Sequence, residues 1–124
     1  MKWGVFSDVH SNQEALKSVL DHFKEKCVDG YICCGDIVGY GAEPNEVIEM
    51  ISTLPNLFCV RGNHDLAVLG RMDLAWFNDM ASAAVRFTQR TLTPRNLRWL
   101  QDLPPRAETP AFTVVHGSPR NPAE

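Results

Sequence analysis

Residues 3–23, WGVFSDVHSNQEALKSVLDHF, have the pattern of a strand, a loop and a helix, and this pattern decides the predicted fold. The short apolar run between Lys2 and Ser7 predicts a strand that ends at a polar loop. Ser11-Asn12-Gln13-Glu14 then offers a helix N-cap with a capping-box glutamate. The apolar residues that follow recur at helical spacing, at Leu16, Val19, Leu20 and Phe23. This stripe predicts a helix that packs on a sheet.

The same unit then repeats along the chain. A second strand is predicted at Tyr31–Cys34, followed by a loop over residues 35–43 and a helix that begins at Pro44. Third and fourth strands are predicted at Leu57–Val60 and Phe112–Val115. Strands that alternate with helices favour an α/β fold with βαβ units and a mainly parallel sheet.

Residues 66–103 have a helical pattern. Two apolar stripes, which predict core packing, comprise Trp76, Met80, Ala83, Ala84 and Phe87, and then Leu97, Leu100 and Leu103. Neither a repeat nor a domain linker interrupts the chain, so we expect one domain over residues 1–124.

Composition limits the classes of partner. A formal net charge of −3 gives no overall basic field that would attract nucleic acid or an anionic membrane by charge alone. No signal peptide and no apolar segment of membrane-spanning length is evident, which favours the cytoplasm. The four cysteines lack the spacing of a zinc site or a disulfide framework, and three lie in apolar runs, so core thiols are the preferred interpretation.

Polar residues follow each of the four predicted strands. They are Asp8-Val9-His10, Gly35-Asp36, Gly62-Asn63-His64-Asp65 and His116-Gly117. Because the carboxyl ends of parallel strands share one edge of a sheet, we expect these side chains to converge. Carboxylate, imidazole and amide oxygen together suit divalent cations such as Mn²⁺, Fe²⁺ or Zn²⁺. His22, on the polar side of the first helix, is expected to be a surface residue.

Each of these residues alone also has a structural interpretation. Asp8 and Asn63 could be turn residues or helix caps, and His116 could be a hydrogen-bonded structural histidine. Polar, metal-competent residues after four successive strands are hard to explain in that way. The set therefore favours a metal site.

The pattern D-x-H, G-D, G-N-H-D and H-G resembles the calcineurin-like metallophosphoesterases along the whole chain. The resemblance implies an α/β/β/α sandwich and two divalent cations, most simply Mn²⁺ but also Fe²⁺, Zn²⁺ or Ni²⁺, sharing a bridging water or hydroxide. It implies that Asp8 and His10 bind one cation, that Asp36 bridges both, and that Asn63 and His116 bind the other. A small phosphorylated substrate would be hydrolysed there.

The resemblance also gives His64 a catalytic role, in which it protonates the leaving oxygen or stabilises the transition state. Asp65 could orient His64 or could serve the start of a helix. The loop Gly39-Tyr40-Gly41 fits neither a dinucleotide fingerprint nor a P-loop, and we interpret it as a metal-site loop.

The chain departs from the family pattern in two ways, in its extent and at position 40. In extent, the final G-H-x-H motif and most of the second sheet have no counterpart, so we expect a truncated domain that covers mainly the first β-α-β half. An exposed sheet face would then favour self-association, and a non-catalytic metal-binding scaffold is an alternative function. Tyr40 stands where phosphoprotein phosphatases of the family have an arginine, which favours the bacterial small-phosphoesterase branch with its phosphodiesterases.

Overall fold

Three parallel strands in the order β1-β2-β3 form the centre of the computed structural model, which describes all 124 residues. The elements in chain order are β1 (Trp3–Phe6), α1 (Gln13–Glu25), β2 (Gly30–Cys33), α2 (Pro44–Ser52), β3 (Leu57–Cys59), α3 (Asn63–Val68), a short 3-10 helix (Leu74–Trp76), α4 (Asp79–Thr91), α5 (Pro94–Gln101), β4 (Arg106–Glu108) and β5 (Thr113–Val115). The predicted α/β class and its parallel β-α-β units are confirmed.

Helices cover one face of this sheet, and their apolar side chains pack against the apolar side chains of the strands on that face. Leu16 of α1, Ile48 of α2 and Leu100 of α5 are at most 1% exposed and belong to one core of 14 buried residues. Full burial of such a side chain stabilises the fold by roughly 1.5–3 kcal/mol. The cap of α1 is Asn12, whose side chain accepts a hydrogen bond from Ala15 N, and Pro44 begins α2 as predicted.

The fourth predicted strand is not part of the parallel sheet. β5 pairs instead with β4 in a separate antiparallel hairpin, and β4 was not predicted. Arg106-Ala107-Glu108 is short and mostly charged, and Ala107 alone points inward, so it carries almost no apolar signal. The hairpin packs on the sheet face opposite the helices, where Val114 meets Ile32 and Val60. It forms a second, two-stranded β layer.

One predicted core stripe lies on the surface. Trp76 is 85% and Met80 75% exposed, whereas α4 buries the side chains of Ala81, Ser82, Val85 and Thr88. Trp76 is not part of α4, because Phe77 and Asn78 are extended and separate it from the helix. Within α4 the buried face contains Ala81, Val85 and Thr88, so the predicted stripe was offset from the face that packs on the core. Val5 of β1 is also 57% exposed on the face that the hairpin covers only partly. Self-association through such apolar surface stays a prediction.

The structure also bears on the expected core position of the cysteines and on the search for a membrane-spanning segment. Cys33 and Cys59 are buried core thiols as predicted, Cys34 is only half-buried, Cys27 is exposed, and all four are free. None of the helices combines the length and the apolar character that a membrane span needs.

Candidate metal centre

The loops after β1 and β2 lie side by side and bring the predicted ligands together. Asp8 N donates to Gly35 O at 2.9 Å, and His10 N donates to Asp36 O at 3.0 Å. These backbone hydrogen bonds continue the pairing of the two strands beyond their ends. The side chains of both loops therefore occupy fixed positions at the carboxyl edge of the sheet.

Left-handed backbone conformations are concentrated in these loops. Seven non-glycine residues have positive φ, and five of them belong to the loops, namely Asp8, His10, Ser11, Asp36 and Tyr40. Such conformations cost of order 1–3 kcal/mol each and persist only where the surroundings enforce them. The strained backbone therefore lies where the candidate ligands Asp8, His10 and Asp36 converge.

Asp36 lies at the centre of the cluster and is only 3% exposed. Its Oδ1 accepts a hydrogen bond from His64 N at 3.0 Å, while Oδ2 lies 3.6 Å from His10 Nε2 and 3.4 Å from His116 Nε2. Gly62 makes this approach feasible, because a Cβ there would collide with the Asp36 side chain and backbone.

Backbone carbonyls orient both imidazoles. His10 Nδ1 donates to Val38 O at 3.2 Å, and His116 Nδ1 donates to Cys34 O at 2.8 Å. Because a carbonyl can only accept, each Nδ1 carries the hydrogen and each Nε2 presents its lone pair to the centre. This is the usual arrangement of metal-binding histidines, whose second nitrogen is held by an acceptor.

Asp8 and Asn63 complete the predicted set. Asp8 Oδ1 lies 3.4 Å from His10 Nε2 and its side chain is 51% exposed, whereas Asn63 Oδ1 lies 3.2 Å from His116 Nε2. Ligand atoms of two triads lie within 4.8 Å of one another: Asp8, Asp36 and His116, and also His10, Asp36 and His64. Asp36 is common to both triads, as a bridging ligand would be. The donor set thus fits divalent cations of the Mn²⁺, Fe²⁺ and Zn²⁺ type.

His64 is buried beside the cluster among aromatic rings. Its ring centroid lies 4.8 Å from that of His10, 4.9 Å from Phe77 and 4.9 Å from Tyr40. Its Nδ1 has no hydrogen-bond partner. Burial and the neighbouring His10 lower the pKa of His64 to about 4, so the imidazole is neutral at physiological pH.

Asp65 serves the start of a helix and a loop, and it does not contact His64 by a hydrogen bond. Its carboxylate accepts from Gly62 N at 2.8 Å, Ile37 N at 3.0 Å and Val38 N at 3.1 Å. Of the two roles open from the sequence, the structure shows the one at the helix N-terminus. Burial raises the pKa of Asp65 to about 7, although its three backbone donors act in the opposite direction.

The affinity for Mn²⁺ is expected to fall as the pH drops through about 6. Burial raises the pKa of Asp36 from 3.8 to about 6, and a proton then competes with the cation for this carboxylate. Below that pH the apparent affinity should fall by roughly tenfold per pH unit, which calorimetric titration from pH 5 to 8 would measure.

The metal-free chain should show the opposite trend in stability. Because the pKa of Asp36 in the folded chain exceeds its unfolded value, this group's contribution to the free energy of unfolding declines as the pH rises from about 4 to 6. A Mn²⁺ affinity that stays constant between pH 5 and 8 would contradict the predicted competition between a proton and the cation for Asp36.

Several contacts of this site carry no signal in the sequence. The orienting carbonyls of Cys34 and Val38 are backbone groups, which any residue type supplies. Phe77 comes from a segment with no recognisable motif, and Ser7 Oγ donates to Asp8 Oδ2 from inside the first loop. His22, by contrast, is exposed on α1 as predicted.

A parallel α/β sheet with carboxylate, imidazole and amide ligands at its carboxyl edge defines a candidate metalloenzyme centre. Comparison with known proteins specifies the family. The profile of the calcineurin-like phosphoesterases matches residues 1–123, and the chain belongs to this family. The family is metal-dependent, in keeping with the ligand set.

Individual relatives agree with this assignment. The chain is 46% identical over 100 residues to the uncharacterized protein MJ0912 of Methanocaldococcus jannaschii, a match that covers 81% of the chain and 41% of the relative. It is 43% identical to a metallophosphoesterase of known structure from Sphaerobacter thermophilus, with a TM-score of 0.83, and covers 50% of that protein. Hypothetical protein PH1004 from Pyrococcus horikoshii is 26% identical, with a TM-score of 0.83 over 98% of this chain and 56% of that protein. The chain thus spans about half the length of these relatives.

Proposed function

We propose that the chain carries the centre of a metal-dependent phosphoester hydrolase that acts on a small phosphodiester, phosphomonoester or nucleotide. The observation that supports this most is the position of Asp36, whose Oδ2 lies between two imidazole Nε2 atoms that backbone carbonyls aim at it. Two cations held by Asp8, His10, Asp36, Asn63 and His116, for which Mn²⁺ is our first choice, would neutralise the phosphate oxygens and acidify a water molecule. Nucleic acid and membrane are not proposed partners. The free thiols fit a reducing compartment such as the cytoplasm.

His64 is proposed to contact the substrate rather than to bind a cation permanently. With a pKa lowered to about 4, the ring is neutral and can offer an N–H to an ester oxygen on which charge develops. Of the two catalytic roles considered for His64, transition-state stabilisation by a neutral donor therefore suits the site better than transfer of a proton from an imidazolium. The contacts with His10, Tyr40 and Phe77 restrict the ring to one position.

Replacing His64 with alanine is expected to lower the turnover number by roughly 100-fold or more, because a positioned donor at the reacting group is removed. The measurement is Mn²⁺-dependent hydrolysis of bis-p-nitrophenyl phosphate by the 124-residue chain. Metal content per chain should be retained, since the five proposed ligands are intact.

His22→Ala is the matched control, because it removes an exposed imidazole from α1. Its turnover should equal that of the unmodified chain. If His64→Ala retained full turnover with its metal bound, His64 would have no catalytic role.

A second candidate function is a metal-binding scaffold without catalysis. The positions of the four histidines favour it, because no two histidines of this sequence are separated by one residue, as they are in the G-H-x-H motif. Metal content after Mn²⁺ loading and dialysis separates the candidates when it is combined with the hydrolysis assay. About two ions per chain with turnover support the enzyme, whereas bound metal without turnover supports the scaffold.

A further inference from the structure

An open cleft of about 480 Å³ lies beside the proposed metal centre. Its walls include two proposed metal ligands and the loop after β2, namely Asp8, His10, Tyr40, Gly41, Ala42 and Glu43. A phosphate held at the cations would lie next to this space, because Asp8 and His10 belong to both. The cleft is therefore a candidate subsite for the organic part of the substrate.

Tyr40 is the aromatic residue of the cleft wall, and backbone hydrogen bonds hold its loop against the loop after β1. Its neighbour Gly41 donates from N to His10 O at 3.0 Å, and Glu43 N donates to Ser11 O at 3.0 Å. A Cβ on Gly41 would collide with the backbone carbonyls of His10 and Ser11, so the two loops touch directly. The position of Tyr40 is thereby tied to that of a proposed metal ligand.

The ring of Tyr40 is available to a ligand. It packs edge-on to His10 at 5.0 Å between centroids and tilted against His64 at 4.9 Å, yet the residue remains 48% exposed. The exposed part of the ring offers apolar surface for stacking, and the contacts with His10 and His64 restrict the motion of the ring before a ligand binds. Stacking of a planar ligand group would therefore cost little conformational entropy.

The charges of the cleft select against further anionic groups. Its lining contains the carboxylates of Asp8 and Glu43 and neither lysine nor arginine. Cations at the centre would neutralise Asp8 but would leave Glu43 free to repel a second phosphate or a carboxylate. An uncharged ester group is accordingly preferred over a charged one.

We propose that this cleft binds an uncharged planar ester group, such as an aryl group or a nucleobase, which stacks on Tyr40 while the phosphate is held at the metal centre. This inference rests on the proposed function and makes its substrate class more specific. Tyr40 is thus a specificity-determining residue.

Binding of phosphonates to the Mn²⁺-loaded chain tests the inference without requiring turnover. Calorimetry would compare methylphosphonate, which reaches only the metal centre, with phenylphosphonate, which also reaches the cleft. We expect phenylphosphonate to bind about tenfold more tightly, as one stacked ring implies. Tyr40→Ala should reduce this ratio to about one, Tyr40→Phe should preserve it, and His22→Ala serves as a control distant from the cleft.

The outcomes separate the subsite from the function on which it rests. If methylphosphonate fails to bind the loaded chain, the proposed hydrolase centre is overturned and the subsite with it. If methylphosphonate binds but phenylphosphonate binds no more tightly, or Tyr40→Ala keeps the preference, the subsite alone is overturned. A para-carboxylate on phenylphosphonate should weaken binding, and tighter binding would contradict the preference for an uncharged group.

Discussion

Asp36→Asn is expected to lower the affinity of the chain for Mn²⁺ by more than about 100-fold, the upper range for residues that merely support a metal ligand. Asp36 Oδ2 lies within 3.6 Å of both His10 Nε2 and His116 Nε2, so a single carboxylate would serve both cations. An amide has no charge to offer at this position. Both metal sites should therefore be weakened together.

Asparagine isolates this effect because it should leave the fold intact. The left-handed conformation of Asp36, with φ 54°, is one that asparagine adopts readily, and an amide Oδ1 can still accept from His64 N. Burial raises the pKa of Asp36, which means that the charged carboxylate is costly in the metal-free fold. The metal-free variant should consequently be at least as stable as the unmodified chain at pH 7.5.

Metal analysis after dialysis and thermal unfolding without metal are the two measurements. Asp21→Asn is the control, since it changes the net charge equally at an exposed ion pair on α1 with Lys17. It should retain its Mn²⁺. If Asp36→Asn also kept two ions per chain, the assignment of Asp36 as the shared ligand would be wrong.

The local sequence predicted the parallel part of the fold because each element carries its own signal. The runs around Val5, Ile32 and Phe58 are apolar and short, and the helices between them show apolar residues at helical spacing. β4 lacks such a signal, because Arg106 and Glu108 face outward and leave no apolar alternation in the sequence. Its backbone hydrogen bonds with β5 make this segment a strand. Tertiary pairing, and not propensity, makes β4 a strand.

The candidate site shows a similar division. The convergence of Asp8, Asp36 and Asn63 follows from their places after parallel strands. His116 also reaches the site, but it follows an antiparallel strand of the other sheet, so the argument from a shared sheet edge does not explain its position. How they are aimed could not be predicted, because backbone carbonyls and left-handed φ values set the direction of His10 and Asp36. These features depend on the contact of two loops that are 28 residues apart in the chain.

Asp65→Ala is expected to destabilise the chain by about 3–5 kcal/mol, since it leaves three backbone donors without their acceptor in the interior. Asp65 is fully buried, and the donors belong to Gly62, Ile37 and Val38. For a domain stabilised by about 5–15 kcal/mol in total, this is a large fraction. Urea unfolding followed by circular dichroism would measure the loss.

Asp73→Ala is the matched control, because Asp73 also caps the start of a helix but is exposed and accepts only from Ala75 N. It should cost no more than about 1 kcal/mol. Equal losses in the two variants would mean that the buried network of Asp65 contributes nothing beyond an ordinary cap.

The network of Asp65 also holds Val38, whose carbonyl orients His10, and Gly62, which lies against Asp36. Loss of Mn²⁺ affinity should therefore accompany the loss of stability in Asp65→Ala, even though Asp65 itself is not a proposed ligand.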